Sequence, residues 1–188
     1  MSDLEFLNVE PLNAETFSAY GWMLGKPFDP DGAVPGFSNS ATDFWQTHLF
    51  DPGTDGRTEV LWVNYRSQAD VAVLEVHRLT EQAIVPLTGP IVHVVATSLA
   101  DGNPDLNSLR AFLIEPGQGI CMRPGCWHAS RVGAGEVTCL MLTRQSTTLE
   151  LIEHMSRGAA ARESALQPIA PRRLVRNTRP PEPHIQNT

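Results

Sequence analysis

Short apolar runs recur between turn-forming residues across the middle of the chain, and this pattern constrains the fold more than any other feature. Seven such runs occupy residues 60–65, 71–76, 83–87, 91–96, 109–114, 119–122 and 137–142. Gly, Pro, Asp and Asn separate them, and no long helical pattern intervenes. Many short strands at regular spacing are typical of a sandwich or barrel, whereas a parallel α/β sheet needs helices between its strands. We therefore predict an all-β-dominated fold.

Helical patterns flank the strand-rich region on both sides. Residues 12–21 predict a short N-terminal helix, with Asn13 capping its first turn and Gly21 in the left-handed position after its last. Residues 147–165 place apolar side chains at helical spacing, which predicts a C-terminal helix.

The last part of the chain is rich in Pro and Arg. Five prolines and four arginines lie between residues 167 and 188, with little apolar material to bury. We therefore predict a single domain over residues 1–165 and a flexible or surface-draped tail over residues 166–188. The alternative is a tail that contacts a partner subunit.

Charge and cysteine content exclude several classes of protein. The net charge is −7 and Lys26 is the only lysine, whereas nucleic-acid binding needs clustered basic residues. Cys121, Cys126 and Cys139 form no CxxC pair, which disfavours a disulfide framework or a thiolate zinc site. Residues 1–11 carry acids where a signal peptide needs a basic start, and no apolar stretch is long enough to span a bilayer. We expect a cytoplasmic protein with no nucleic-acid or membrane partner.

Polar residues suited to one pocket occur at two places in the strand-rich region. Glu75 and His77 lie two apart on a predicted strand and therefore project from the same face, and Gln82 and a glycine follow in the order E-x-H-x4-Q-x6-G. A second segment has Gly125 three residues before His128. Both spacings resemble the motifs of the cupin superfamily, which implies a cupin-like double-stranded β-helix, or jelly-roll barrel, around these side chains.

The chemistry of these four side chains suits a metal ion. Two imidazoles, a carboxylate and an amide oxygen can bind a divalent first-row ion and leave positions open for a bidentate substrate. A metal-free acid–base site is the alternative, because Glu and Gln bind metals less tightly than the histidine set of the usual motif. His93 and His48 are predicted to be hydrogen-bonded core or surface histidines instead.

Four blocks of sequence resemble the ureidoglycolate lyase family. They are residues 11–21, the stretch from Glu75 to Leu87, residues 104–112 and the segment from Gly119 to His128. The resemblance extends over residues 8–150. It implies a cupin-like homodimer of allantoin catabolism that splits ureidoglycolate into glyoxylate and urea, and it implies nickel as the metal.

Several positions beside the predicted pocket depart from the family pattern. Met122 and Arg123 stand where the family has a tyrosine and a histidine, and Ala129 stands where it has a second histidine. Asn39 is retained from an I-N-x-G stretch and is a candidate for substrate binding. These changes leave the exact substrate and its stereochemistry open.

The implied substrate is a carbinolamide, a small carboxylate whose cleavage needs a base, an acid and an anchor for the carboxylate. The candidate catalytic residues are His128 or Glu75 as the base and His77 as the holder of an assisting metal. Gln82 is expected to orient the substrate or to bind the metal.

An arginine is expected to hold the substrate carboxylate through a bidentate hydrogen bond. Arg123 is the first candidate because it lies five residues before His128, and Arg144 and Arg66 are the alternatives. Trp127 faces away from His128 on an extended strand and is predicted to pack in the core. Two other functions stay open: a cupin module that binds or senses a small carboxylate without turnover, and a cupin enzyme for a different hydroxy acid.

Overall fold

The computed structural model of the protein describes residues 5–29, 32 and 34–176. Within these residues the chain forms thirteen β-strands and two α-helices. The strands are β1 (Glu5–Pro11), β2 (Gly21–Gly25), β3 (Gly36–Ser38), β4 (Asp43–Trp45), β5 (Thr58–Arg66), β6 (Asp70–His77), β7 (Gln82–Pro86), β8 (Ile91–Ala96), β9 (Arg110–Ile114), β10 (Gln118–Met122), β11 (Trp127–Arg131), β12 (Glu136–Arg144) and β13 (Ser164–Arg176). The helices are α1 (Ala14–Phe17) and α2 (Gln145–Arg157). The predicted fold, dominated by strands with a short helix towards each end, is confirmed.

The strands form a closed barrel and a second sheet beside it. The barrel has the order β1-β13-β6-β11-β8-β9, and β1 closes it by pairing in parallel with both β13 and β9. The second sheet is antiparallel and has the order β2-β10-β7-β12-β5. The remaining strands, β3 and β4, pair with each other as a small hairpin.

β8 is buried on both faces, which explains its uninterrupted apolar run. Ile91 and Val95 pack with side chains of the five-stranded sheet, whereas Val92 and Val94 pack with Trp127 and residues from all six barrel strands. One core therefore lies between the barrel and the sheet, and the other fills the barrel. Burying each large apolar side chain stabilises the fold by about 1.5–3 kcal/mol. Trp127 packs in the core, as its predicted orientation requires.

The C-terminal segment corrects one expectation from the sequence. A tail was expected from residue 166, but β13 runs to Arg176 and pairs with β6 and β1. Its register with β6 shifts between Pro168 and Arg172, because proline has no N–H to donate to a ladder. Alternate side chains of this strand still pack inside the barrel. Residues 177–188, the rest of the expected tail, lie outside the described residues.

Both helices are shorter than the sequence predicts. Asn13 caps α1, since its side chain accepts a hydrogen bond from the Glu15 amide at 2.9 Å, but Gly21 opens β2 instead of ending a helix. A Cβ atom on Gly21 would lie 2.0 Å from the Cys121 carbonyl oxygen, so this glycine permits the close approach of β10. α2 ends at Gly158, whose φ of 67° gives a left-handed cap. No helix of the described residues is long and apolar enough to cross a membrane.

Candidate active site

A cavity of about 870 Å³ opens between the five-stranded sheet and the barrel wall. Residues of β5, β7 and β12 line one side, and residues of β6 and β11 line the other. α2 and β13 add apolar side chains, among them Leu151, Met155 and Leu166. The cavity is therefore reached from one edge of the sandwich, where the sheet and the barrel separate.

The four residues of the two motifs meet at the buried end of this cavity. Glu75 and His77 point into it from β6, because the alternating residues Leu74 and Val76 of that strand pack inside the barrel. Gln82 enters from the start of β7, and His128 enters from β11. The rings of His77 and His128 have centroids 5.2 Å apart. We call Glu75, His77, Gln82 and His128 the cavity cluster.

His77 is the most buried member of the cavity cluster, with 5% of its surface exposed. Burial, followed by the proximity of His128, lowers its pKa to about 3. Its Nδ1 lies 3.2 Å from the hydroxyl of Ser164 on β13. The imidazole is therefore neutral at physiological pH and is available as a metal ligand or a hydrogen-bond partner.

The tautomer of His128 follows from one backbone contact. Its Nδ1 lies 3.0 Å from the Cys126 carbonyl oxygen, and because a carbonyl only accepts hydrogen bonds, Nδ1 carries the proton. In the neutral ring, Nε2 is then left with its lone pair. His128 thus has the electronic arrangement of a general base.

A third histidine, His93, packs against the ring of His128. His93 is buried, as the sequence predicts, and its ring stacks on that of His128 at a centroid distance of 5.6 Å. Its Nδ1 contacts the Ser130 hydroxyl at 2.9 Å, and its Nε2 contacts the Met122 sulfur at 3.0 Å. Burial and then His128 lower the His93 pKa well below its usual value. Met122 thus occupies a position that fixes this inner histidine.

The donors of the cavity cluster fit a divalent metal ion. One ligand atom from each of Glu75, His77 and His128 lies within 4.8 Å of the other two. The Glu75 carboxylate and the Gln82 amide nitrogen both converge on His77 Nε2, at 3.2 and 2.8 Å, and a half-turn of the amide puts its oxygen there instead. A ring nitrogen offers one proton or one lone pair and cannot satisfy both groups. A first-row cation can, by accepting lone pairs from the imidazole, the carboxylate and the amide oxygen.

The structure places Arg123, the first candidate for the substrate carboxylate, outside the cavity. Met122 ends β10 with its side chain in the core, so the next residue projects from the outer face of the sheet. Arg123 stacks on the ring of Trp22 at 4.0 Å and donates a hydrogen bond to the Ser18 carbonyl. Sequence proximity to His128 was therefore a misleading guide.

Two other candidates also lie away from the cavity wall. Arg144 donates hydrogen bonds to the carbonyls of Pro52 and Thr54 and so anchors a loop. Asn39 lies in the exposed turn between β3 and β4, where its side chain accepts hydrogen bonds from the amides of Ala41 and Thr42. Hydrogen bonds to nearby backbone groups therefore account for the positions of both side chains.

Arg66 and Arg131 are the two arginines that line the cavity. Arg66 is 75% exposed and pairs with Glu136 at 3.0 Å. Arg131, which the motifs did not indicate, is half-buried and donates hydrogen bonds to the carbonyls of Asp70 and Ser130. Burial lowers its pKa, and no carboxylate of residues 5–29, 32 or 34–176 forms a salt bridge with it. Arg131 is the better placed partner for an anionic ligand.

Tyr65 and Ser130 are further polar residues of the cavity wall that the motifs did not indicate. Burial raises the pKa of Tyr65 to about 12, while a hydrogen bond with Ser130 opposes that rise. Ser130 lies two residues after His128 and Tyr65 lies on the inward face of β5. Strand alternation alone therefore marks both positions once the inward face is known.

Similarity to known proteins identifies the family to which the chain belongs. The model of the family described as Ureidoglycolate lyase matches residues 4–159. The chain belongs to the ureidoglycolate lyase family. A ureidoglycolate lyase of Rhodobacter capsulatus is 32% identical over 129 residues, which cover 66% of this chain and 77% of that protein. One from Burkholderia mallei is 29% identical over 143 residues, covering 72% and 79%.

Solved structures similar to this member of the ureidoglycolate lyase family are distant in sequence. RmlC from Streptococcus suis superposes with a TM-score of 0.45 at 11% identity, covering 76% of this chain and 73% of that one. Oxalate decarboxylase from Bacillus subtilis gives a TM-score of 0.37 at 12% identity, covering 55% and 28%. The family match ends at residue 159, so β13 and its Ser164 lie beyond the matched part of the chain.

Proposed function

We propose that this chain is a lyase that cleaves ureidoglycolate into glyoxylate and urea. The observation that carries the proposal is the convergence of Glu75, His77, Gln82 and His128 at the buried end of one cavity. Membership of the ureidoglycolate lyase family supports the choice of substrate. The same proposal assigns the enzyme to allantoin and purine nitrogen degradation in the cytoplasm.

The substrate carries a hydroxyl, a carboxylate and a urea nitrogen on one carbon. Removal of the hydroxyl proton lets that oxygen form the aldehyde carbonyl while the carbon–nitrogen bond breaks, and the departing nitrogen takes a proton. We assign proton removal to His128 Nε2, since Nδ1 is held by the Cys126 carbonyl. The same imidazolium then returns the proton to urea, so that one side chain serves as base and acid.

A divalent ion would be held by Glu75, His77 and Gln82, and it would supply Lewis acidity towards the hydroxyl oxygen. This assignment leaves His128 for proton transfer and separates the two roles. Family resemblance implies nickel. The ligand atoms themselves, a nitrogen and two oxygens, suit several first-row ions.

We assign the substrate carboxylate to Arg131, with Arg66 as the alternative at the exposed rim. A guanidinium binds a carboxylate through two parallel hydrogen bonds, and partial burial strengthens them. Arg131 is half-buried and lines the cavity at the end of β11. Two of its nitrogens already donate to the Asp70 and Ser130 carbonyls, so it has to release one of these carbonyls to bind a carboxylate through two hydrogen bonds. Arg66 has to release Glu136 before it can bind substrate.

The decisive experiment incubates purified protein with racemic ureidoglycolate, with and without Ni²⁺ or Mn²⁺, and measures glyoxylate and urea. Equal amounts of both products are expected. Absence of turnover by folded, metal-loaded protein would overturn the proposal. Metal analysis of His128→Asn separates the roles, because loss of activity with metal retained identifies a base, whereas loss of metal identifies a ligand. His154→Ala, on α2 and outside the cavity lining, is the matched control.

The proposed enzyme is a homodimer, as the family resemblance implies. The outer face of β5 supports this, because Val60 and Trp62 are 58% and 69% exposed although both are large and apolar. β5 is also an edge strand of its sheet, and exposed apolar patches of this kind mark interaction surfaces. Light scattering of Trp62→Glu tests the assignment: a monomer is expected, and an unchanged dimer would locate the interface elsewhere.

A further inference from the structure

A second group of metal-binding side chains lies on the face of the five-stranded sheet that is turned away from the cavity. It consists of His48, Glu81 and Cys121, which we call the outer cluster. Glu81 immediately precedes Gln82, so the two side chains project from opposite faces. Cys121 belongs to β10, and both of its neighbours pack in the core on the inner face. His48 belongs to residues 46–57, a segment without helix or strand.

The spacing of the three ligand atoms is close to that around a tetrahedral cation. Each lies within 4.8 Å of the other two. Glu81 Oε2 is 2.8 Å from His48 Nε2 and 3.6 Å from Cys121 Sγ. Zinc bonds of about 2.0–2.3 Å place tetrahedral ligand atoms roughly 3.3–3.7 Å apart. The carboxylate and the sulfur already match this separation, and the imidazole has to withdraw by about half an ångström.

The outer cluster is buried and short of positive charge. Cys121 is 1% exposed and Glu81 is 6% exposed. A buried carboxylate is costly unless it is paired with a cation, yet in the described part of the chain no Lys or Arg forms a salt bridge with Glu81, which contacts the His48 imidazole at 2.8 Å. Trp22 stacks on the His48 ring at 4.1 Å and holds it in place. A divalent ion would supply the missing charge.

We propose that His48, Glu81 and Cys121 form a second, structural metal site for a thiophilic divalent cation of the zinc class, with water as the fourth ligand. Binding forms a metal–sulfur bond at Cys121 and releases the thiol proton to solvent. The donor set of one sulfur, one nitrogen and one oxygen suits zinc and excludes Mg²⁺ and Ca²⁺, which prefer oxygen ligands. The site would tie residues 46–57 to the sheet directly behind Gln82.

The three cysteines form no CxxC pair, which is the local spacing typical of thiolate zinc sites. Here the ligands come from three separate parts of the chain, 33 residues apart for His48 and Glu81 and 40 for Glu81 and Cys121. Strand pairing between β7 and β10 brings the last two together. A site of this kind has no local spacing signature.

The competing explanation is a purely hydrogen-bonded cluster. Glu81 Oε2 accepts a hydrogen bond from the Asp51 amide at 2.8 Å, in addition to its contacts with His48 and Cys121. Burial and then the Glu81 carboxylate raise the pKa of the Cys121 thiol, which keeps its proton unless a cation displaces it. The two explanations therefore differ in one measurable property: whether a metal converts Cys121 to a bound thiolate.

The test is a Co²⁺ titration of the metal-stripped, full-length chain followed by absorbance. A thiolate-to-cobalt charge-transfer band in the near ultraviolet is expected, with visible bands of a tetrahedral site, and Zn²⁺ is expected to displace the cobalt. Cys121→Ser should abolish the charge-transfer band. The matched control Cys139→Ala changes another buried cysteine outside the cluster and should retain it.

Two outcomes overturn the proposal: no charge-transfer band in folded protein at saturating Co²⁺, or a band that survives Cys121→Ser. If Cys121→Ser does not fold, His48→Ala decides, because His48 lies on a segment without regular structure. At least tenfold weaker Co²⁺ binding is expected there, and an unchanged titration contradicts the site. The readout does not use catalytic activity, so it is independent of the lyase assay.

Discussion

The cavity cluster and the outer cluster lie on opposite sides of the five-stranded sheet. Of two consecutive residues, Glu81 belongs to the outer cluster and Gln82 to the cavity cluster. The cavity cluster contains no thiol and borders a cavity of about 870 Å³. The outer cluster contains Cys121 and is covered by residues 46–57. One arrangement leaves room for a molecule to enter and leave, whereas the other leaves room for an ion.

The difference shows how a strand can supply two kinds of site through alternation alone. On the cavity side, burial keeps the His77 imidazole neutral, as its pKa of about 3 indicates. Neutral imidazole is the form that takes protons or binds metals. On the outer side, the His48 imidazole and the Cys121 thiol both contact one carboxylate oxygen of Glu81, and the cluster gains most from a permanent cation. Experiments that change one face and leave the other unchanged test this division.

The largest effect is expected from His128→Asn. The Asn amide can still donate to the Cys126 carbonyl, but it cannot accept the substrate proton, so kcat should fall by about 10³-fold. Steady-state kinetics with ureidoglycolate measure this, and the cobalt spectrum of the outer cluster should be unchanged. A loss of less than tenfold in folded protein would contradict the assignment of His128 as base and return that role to Glu75.

The next effect compares Arg131, which lines the cavity, with Arg123, which lies outside it. Arg131→Gln removes the proposed carboxylate partner inside the cavity, and loss of a charge-assisted hydrogen bond pair should raise KM by about 50-fold. Arg123→Gln is the matched control, because Arg123 stacks on Trp22 outside the cavity. Its KM should stay within about twofold of the wild type. An equal loss in both variants would mean that the effect is structural.

Acid should destabilise the cavity side of the molecule. The pKa values of His77 and His93 are lowered by burial, so below their ordinary value near 6.5 the unfolded chain binds protons that the folded chain does not. For His77, stability therefore falls as the pH decreases from about 6.5 towards 3, with a slope of about 1.4 kcal/mol per pH unit. His93 acts in the same direction.

Urea unfolding in the presence of a chelator measures this slope. Between pH 6 and pH 5 a loss of about 1 kcal/mol is expected from His77, and His93 adds to it. His93→Asn should therefore reduce the slope. A stability that is constant over this interval would mean that His77 and His93 are protonated in the fold.

The part of the site that could be predicted from the sequence is the part fixed by local spacing. Glu75 and His77 lie on one strand and share a face, and a short motif gives Gln82 and His128 their places. Arg123 shows the limit of this reasoning. It is near His128 in sequence, but the inward position of Met122 sends it to the opposite face.

The remaining features depend on pairings between distant parts of the chain. β13 is poor in helix or strand signals because of its prolines, and only its ladder with β6, in which Ser164 lies opposite His77, makes it a strand. Among the described residues, no carboxylate forms a salt bridge with Arg131. This property cannot be predicted from the spacing of residues in the sequence. The outer cluster needs both the β7–β10 pairing and the path of residues 46–57.

The smallest effect is expected at Ser164, where the contribution of β13 to the cavity cluster can be isolated. Its hydroxyl lies 3.2 Å from His77 Nδ1, and its amide donates to the Glu150 carboxylate of α2 at 3.2 Å. When Nε2 binds a cation, Nδ1 carries the proton and donates it to this hydroxyl, which fixes the ring. Groups that orient a metal-bound histidine in this way typically contribute about tenfold or more in affinity.

Ser164→Ala should therefore weaken metal binding in the cavity by about tenfold, measured by competition with a chelator, while the cobalt affinity of the outer cluster stays the same. Ser164→Thr keeps the hydroxyl and should restore most of the affinity. If Ala and Thr weaken binding equally, the residue acts through packing, since it is 1% exposed. If Ser164→Ala weakens metal binding at both clusters, the two sides of the sheet are coupled, and the two clusters are not independent sites. A selective loss would show that a strand beyond the family match tunes the cavity cluster.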